Sequence, residues 1–453
     1  MSETKNYTDV FVNTLYSLSV REMPAEIMNE ARKCLLDGMA SMLGGSAAMK
    51  ENVSRFLDLE PPCPDGVTVV SMDRKASLQS AALANALSLH CFDMDDGHRY
   101  STVHLAASVI PAVLAIGEYY DLSLEDLLRG IVIGYETGIR MGQCIQPAHR
   151  NRGFHSTGTA GTLGAALSVA AALRFSREEM KAALSAAATS AGGLGEAFEN
   201  ISTLKPFNAG HACQDGITAA LIAKAGFVGP YDMLSGKLSF LKAMCETCDP
   251  TVLDYDVDPE YHITGCYHKL YASCRHTHAA IDGAILIRRK HHPDPEDIEK
   301  VEIRMYAQGV NSHDHTEIPS VVAGKMSIPF SVALALVREN AGISAFTEET
   351  IRDEAVTKLC RKVTVQADPE MTALVPKKRP SSVTVYMKNG AVYEERVDYA
   401  LGEPENPVTE RELMQKYLDL SAYGGKTEAE ARKIAEIILK GNGSVRDLTE
   451  KLR

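Results

Sequence analysis

The chain has 453 residues, with Lys+Arg 47 against Asp+Glu 59 and a formal net charge of −12. Its 45 % apolar and 23 % charged residues mark a globular rather than a disordered chain, with room for about two or three domains at roughly 150 residues each. The acidic balance argues against nucleic acid or an anionic membrane as the main partner.

The N-terminal stretch MSETKNYTDVFVNTLYSL lacks a basic n-region and an apolar h-region, so no signal peptide is expected. From Tyr7 to about Leu253 the pattern predicts helix after helix. Pro24 to Gly38 opens with Pro in its first turn and repeats apolar residues at i, i+3 and i+4. Val67 to Ser71 is the one brief extended stretch. Helices are then predicted over Ser77 to Leu89, Leu105 to Tyr120, Ser123 to Gln143 and Gly158 to Leu173. Ser176-Arg-Glu-Glu is a capping box opening a helix through about Ala191, and Leu238 to Cys245 could close the segment. The stretch from Ser156 to Leu173 is built from Ala, Gly, Ser and Thr, which suits a buried helix better than a lipid-facing one. Trp is absent and aromatics are 6 %, so bulk comes from Leu, Ile, Val and Met, while Ala and Gly let helices approach closely.

After Tyr261 the grammar changes. His276 to Lys290 reads as a helix, Val301 to Tyr306 as a half-buried strand of period two, Ile328 to Arg338 and Thr347 to Lys362 as helices, and Val363 to Ala367 as a second strand. Ser382 to Val397, with Asn389-Gly390 at its middle, predicts a hairpin closed by a type I′ turn. Thr409 to Leu420, Thr427 to Lys440 and Ser444 to Leu452 return to polar-faced helices. The expected fold is mainly α with an inserted α+β lid domain: a helical domain over 1–265, the lid over 266–398, and C-terminal helices over 399–453 rejoining the first domain. A cleft between them is the expected ligand site. Ten scattered Cys show no disulfide framework and are expected to be reduced, and the lone CxxC at Cys245 and Cys248 lacks a second pair. A cytoplasmic location is expected.

Four segments concentrate chemistry. His90-Cys-Phe-Asp93-Met-Asp95-Asp96-Gly97-His98-Arg99-Tyr100-Ser-Thr-Val-His104 sits between two apolar helices and offers carboxylate and imidazole for acid–base work. Read blandly it is a capped loop. Its HxxD and DxD spacings are too loose to specify a metal, and none is expected. Arg150-Asn-Arg152-Gly153-Phe-His155-Ser156-Thr157 would aim helix N–H groups, hydroxyls and His155 at an anion, unless it only begins a closely packed helix. Lys205, ahead of Pro206 and a small-residue helix, could be a partly buried cation or a solvated helix-start Lys. Lys269-Leu-Tyr-Ala-Ser-Cys274-Arg275-His276-Thr277-His278 gathers cations and imidazoles at the expected domain junction. Together these groups suit a small polycarboxylate and proton transfer next to a carboxylate. No Rossmann fingerprint, haem motif or nucleophile elbow is present, so chemistry without a cofactor is expected.

The segments ALANALSLHCFDMDDGHRYSTVH, GFHSTGTAGTLGAA, LKPFNAGHACQDG, KLYASCRHTH and KMSIPFSVALAL, in this order, resemble the MmgE/PrpD family, which includes 2-methylcitrate dehydratase, cis-aconitate decarboxylase and iminodisuccinate epimerase. The resemblance implies a two-domain architecture, a homodimer, no metal or organic cofactor, and a small di- or tricarboxylate substrate. It implies catalytic roles for Asp93, His104, His155 and Lys205, and substrate contacts from Arg152, Thr157, Lys269, Cys274, Arg275, His278 and Phe330. Gly97 stands where dehydratase- and decarboxylase-like members often carry Thr, Phe330 where some carry Tyr, and Asn208 where some carry His. Near Cys274, decarboxylase-like members carry a His. These departures count against the decarboxylase, and the one at Gly97 bears on the dehydratase as well. The expected activity is a hydro-lyase of the 2-methylcitrate dehydratase kind, with an epimerase or a cis-aconitate decarboxylase-like enzyme as alternatives. A binder of organic acids without catalysis is the alternative from another class.

Overall fold

The computed structural model describes residues 5–198, 202–257 and 260–453. The chain divides into two compact units. One is drawn from Met1–Cys91, Asp95–Cys266 and Met414–Arg453, the other from Phe92–Met94 and Tyr267–Leu413.

In the first unit the helices begin where side chains can take up the free N–H groups of a first turn. Asn6 caps α1 (Tyr7–Val20), Pro24 precedes the long α2 (Ala25–Asp58), and Ser77 caps α3 (Leu78–His90). Next come α4 (Leu105–Tyr120), α5 (Leu124–Ile145, capped by Ser123) and the single turn α6 (Ala148–Asn151). These lead to α7 (Ser156–Ala172) and to α8 (Arg177–Ser190), which opens with the expected Ser176–Glu179 capping box. α9 (Lys205–Lys224) and α10 (Phe240–Met244) complete the run. Two-residue strands β1 (Val67–Thr68) and β2 (Lys75–Ala76) pair antiparallel, and β3 (Gly97–His98) is as short.

The centre of this unit is α7, every residue of which is buried. It packs against α4, α5, α8 and α9. The approach to α5 depends on glycine: a Cβ on Gly134 would lie 2.7 Å from Ser168 Cβ, and one on Gly164 2.8 Å from the Gly134 carbonyl oxygen. Such packing removes apolar surface from water without large side chains, at about 25 cal/mol per Å². Ion pairs are sealed inside as well. Arg140 and Glu136, one turn apart on α5, are both 0 % exposed, and Arg140 also donates to the carbonyls of Val252 and Glu260 at 2.9 and 2.7 Å. Burial raises the Glu136 carboxyl above its usual value, against the pull of Arg140. Lys416 reaches Asp37 at 2.5 Å.

In the second unit, after β4 (Cys266–Tyr267), the mixed sheet runs β6-β5-β7-β8. β5 (Ile298–Met305) lies parallel to β6 (Val363–Ala367) and antiparallel to β7 (Ser381–Met387), which pairs with β8 (Val392–Val397). Period two puts Val301, Ile303, Val383 and Val385 in the interior. α11 (His278–His291) covers β7 and β8 and also packs on α14. The remaining helices here are α12 (Ala307–Val310), α13 (Val321–Met326), α14 (Ile328–Arg338), α15 (Glu354–Cys360) and α16 (Pro369–Thr372). α17 (Glu410–Tyr423), α18 (Glu428–Lys440) and α19 (Val445–Lys451) close the chain.

Two sequence expectations need correction. The single helix over Thr347 to Lys362 is a 3-10 turn at Thr350–Arg352 followed by α15, because the Asp353 carboxylate accepts from Ala355 N at 2.9 Å and starts a new helix. The hairpin is present, but its turn is not type I′: only Gly390 has positive φ, at 87°. Gly390 N donates to Met387 O and Met387 N to Ala391 O, so three residues make the loop and the glycine supplies its left-handed end. Among the described residues no helix is long and apolar enough to cross a membrane.

Candidate active site

In the first unit, three imidazoles converge from the ends of three helices. His90 is the last residue of α3, His104 the N-cap of α4 and His155 the N-cap of α7. The His90 ring centroid lies 5.0 Å from that of His104 and 6.5 Å from that of His155. Helix termini suit this use, since the chain leaves the helix there and an N-cap side chain is not committed to the helix surface.

Each ring is fixed by a partner whose role is unambiguous. His104 Nδ1 lies 2.7 Å from the Asp96 carbonyl oxygen. A carbonyl can only accept, so Nδ1 carries the proton and the neutral ring has its lone pair on Nε2. The His104 backbone is pinned by its N–H, which donates to Thr157 Oγ1 at 3.1 Å. Asp96 is held in turn: its carboxylate accepts from Ala106 N at 3.0 Å and from the Tyr135 hydroxyl at 2.6 Å. His155 has the opposite tautomer. Asn208 Nδ2 donates to the Leu194 carbonyl at 3.1 Å, which fixes the amide orientation, and its second hydrogen faces His155 Nδ1 at 3.1 Å. Nδ1 therefore accepts and Nε2 carries the proton. His90 donates from Nδ1 to both Asp95 oxygens, at 2.9 and 3.0 Å, while its buried Nε2 has no hydrogen-bond partner among the described residues.

The loop around His155 is locked by backbone. His155 N donates to Gly193 O at 3.1 Å and Gly195 N to Gly153 O at 2.8 Å. A Cβ on Gly158 would sit 2.3 Å from Gly192 O, so α7 can start here only with glycine. Ser156 Oγ accepts from Gln146 Nε2 at 2.5 Å. His149, stacked on Phe154 at 4.8 Å, supports the turn from below, and burial lowers its pKa.

The other expected residues of this unit fall in different surroundings. Lys205 is the first residue of α9 and half-buried, one turn before Asn208, a spacing that puts both on one face. Thr157 is fully buried and its hydroxyl serves the His104 backbone. Arg152 is exposed, its guanidinium 6.0 Å over the Phe154 ring. Among candidate metal ligands, His90, Asp95 and His104 offer atoms within 4.8 Å of one another. The Nδ1 atoms of both rings are already engaged as donors, so an ion bound between them would displace those bonds.

Within the second unit a polar cluster also forms. Asp93 has φ of 55°, a left-handed conformation that Asp tolerates. Lys269, 0 % exposed, donates to both the Asp93 carbonyl and its carboxylate at 2.8 Å, using two of its three N–H bonds. Arg275 is buried against Glu403, with Nη2 at 2.8 Å and Nε at 3.2 Å from Oε1, and Nη1 donates to His278 Nδ1 and the Leu401 carbonyl. Four of its five N–H groups are thus committed, and the Tyr267 ring lies 4.4 Å from the guanidinium carbon. His278 donates from Nε2 to Ser273 O, so both its nitrogens are occupied. Burial first, then Arg275 and Lys269, depress its pKa well below the usual value. Cys274 Sγ lies 3.4 Å from His313 Nε2. Phe330, 0 % exposed, sits in the apolar interior with Phe346 6.1 Å away, and Gly324 leaves room for its ring.

Sequence reasoning did not single out His90, Asp95, His313 or Glu403. His90 and Asp95 stand inside the quoted acidic–imidazole segment, and their five-residue spacing across a helix end was the signal. Glu403 and His313 carry none, because their partners lie 128 and 39 residues away.

The model of the MmgE/PrpD N-terminal domain matches residues 10–253 and that of the MmgE/PrpD C-terminal domain residues 271–440. The chain belongs to the MmgE/PrpD family. Its relatives include a cis-aconitate decarboxylase of Aspergillus terreus (strain NIH 2624 / FGSC A1156), 26 % identical over 93 % of this chain and 90 % of that protein. The cis-aconitate decarboxylase-like protein oryM of Aspergillus oryzae (strain ATCC 42149 / RIB 40) is 25 % identical over 92 % and 91 %. Human cis-aconitate decarboxylase is 22 % identical over 91 % and 87 %. These relatives lend no support to the expectation that the departures at Gly97, Cys274 and Phe330 lead away from decarboxylation.

Proposed function

We propose that the protein is a lyase acting on a small di- or tricarboxylate by proton transfer at carbon next to a carboxylate. The observation that carries it is the pair of opposite tautomers. His104 carries its lone pair on Nε2, as a base requires, while His155 carries a proton on Nε2, as an acid requires. Proton removal by one imidazole and protonation of a departing hydroxyl by the other would eliminate water and leave a carbon–carbon double bond. Asp96 and Thr157 hold the base, Asn208 holds the acid, and Lys205, on the Asn208 face of α9, would bind a substrate carboxylate. No metal or organic cofactor enters these steps. A 2-methylcitrate-type hydroxy-tricarboxylate fits a base–acid pair best, and a homodimer is the proposed assembly.

The names of the relatives favour a second reading, decarboxylation of cis-aconitate. There carbon dioxide leaves without prior removal of a proton, so the acid is needed and the base is not. Incubation with 2-methylcitrate, citrate, cis-aconitate and iminodisuccinate, followed by NMR, separates the outcomes. A new alkene from a hydroxy acid is the expected result, and carbon dioxide from cis-aconitate supports the second reading. Inverted iminodisuccinate supports the epimerase alternative. Tight binding with no product from any of them overturns the enzyme assignment.

A further inference from the structure

We propose that Cys274 and His313, in the second unit, form a nucleophilic thiol–imidazole pair, a covalent modification site for activated alkenes. Sγ lies 3.4 Å from His313 Nε2, and His313 Nδ1 donates to the Asn311 carbonyl. The neutral ring therefore turns its Nε2 lone pair to the thiol. Nucleophile, base and a group that orients the base follow one another, as in activated cysteine sites. The backbone holds the sulfur in place, with Cys274 N donating to Lys325 O at 3.0 Å and Thr277 N and Oγ1 donating to Cys274 O at 2.9 Å. His276 backs the imidazole edge-on at 5.2 Å, and its Nδ1 meets the Tyr306 hydroxyl at 2.6 Å.

Six other cysteines lie in a different environment. Burial pushes the thiols of Cys34, Cys144, Cys213 and Cys266 well up, Cys245 to about 11 and Cys360 to about 12. Burial acts on Cys274 in the same sense and the Asp93 charge adds to it, but the hydrogen bond and charge of His313 outweigh both, and its pKa is lowered. Cys274 is also partly exposed, whereas those six are buried. In the reaction, Sγ forms a bond to the alkene carbon remote from the activating carbonyl. The π pair moves to the neighbouring carbon, which takes up the proton that His313 removed from the thiol.

The test is limiting N-ethylmaleimide at neutral pH on the intact protein, with labelled cysteines read by peptide mass spectrometry. Cys274 should react about tenfold faster than the exposed Cys248, and the preference should vanish in urea. His313→Gln should slow labelling of Cys274 about tenfold with an unchanged circular dichroism spectrum. Should that variant unfold, the pH profile of wild-type labelling decides, with a midpoint for Cys274 below that for Cys248 expected. Labelling of Cys248 or Cys63 before Cys274, an equal rate in folded His313→Gln, or coincident pH midpoints would overturn the proposal.

Discussion

His104 and His155 owe their opposite tautomers to atoms that lie far apart in the chain. One ring is set by a main-chain carbonyl eight residues away, the other by an amide on α9, 53 residues away. Asn208→Ala removes the donor that keeps the proton on His155 Nε2 and leaves both tautomers open. Turnover should fall about tenfold or more with little change in KM, because the acid is mispositioned while substrate contacts remain. His155→Ala should cost more, about 10²–10⁴ in kcat, the usual contribution of a placed acid or base. Steady-state kinetics on the two variants checks the order, and an Asn208→Ala enzyme as slow as His155→Ala would make Asn208 more than a positioning residue. The imidazoles themselves were legible in the sequence as dense polar segments at helix ends. Their proton positions were not, because Asn208 stood out only as a departure from the family pattern and Leu194, which orients its amide, gave no signal at all.

At the level of helices and strands, periodicity and caps located α4 and α14 to the residue, and Ser176 opened α8 as its capping box required. The errors came where local chemistry overrides periodicity. Asp353 can cap a new helix inside an apolar pattern, and the Asn389-Gly390 pair supports either of two turns, one with two positive φ values and one with a single one. The α5–α7 contact was foreshadowed by the glycines and alanines, though not which pairs meet. Gly134→Ala places a methyl 2.7 Å from both Ser168 Cβ and Val109 Cγ1. Neither is the end of a flexible side chain, so the variant should lose about 1–3 kcal/mol despite the better helix propensity of Ala. Urea unfolding of the variant reads the loss directly, and an unchanged midpoint would mean that the helices slide apart freely.

The molecule as a whole carries −12, yet several cations are deeply buried. Lys416 is one of them, and Lys416→Met would remove the ammonium from the Asp37 carboxylate, whose side chain is 0 % exposed. A loss of about 3–5 kcal/mol is expected, readable as a lower urea midpoint, whereas pairing Lys416→Met with Asp37→Leu should recover much of it. Acid should act through the imidazoles. His278 and His149 have pKa values depressed by burial, so they are neutral when folded and take up a proton on unfolding below about pH 6.5. The unfolded state then binds more protons, so their contribution is fully present above that pH and is lost as pH falls below it. Thermal melts between pH 7.5 and 5.5 should show falling Tm, with a shallower fall in His278→Gln; equal slopes would remove His278 from the acid response. The most direct measurement follows the proton itself. With 2-methylcitrate in D2O, NMR should show alkene formation and, in the remaining substrate, deuterium entering the carbon next to the carboxylate with the wild-type enzyme, both reduced about 10²-fold or more in His104→Gln. Product formation and deuterium entry at the wild-type rate in folded His104→Gln would contradict His104 as the base.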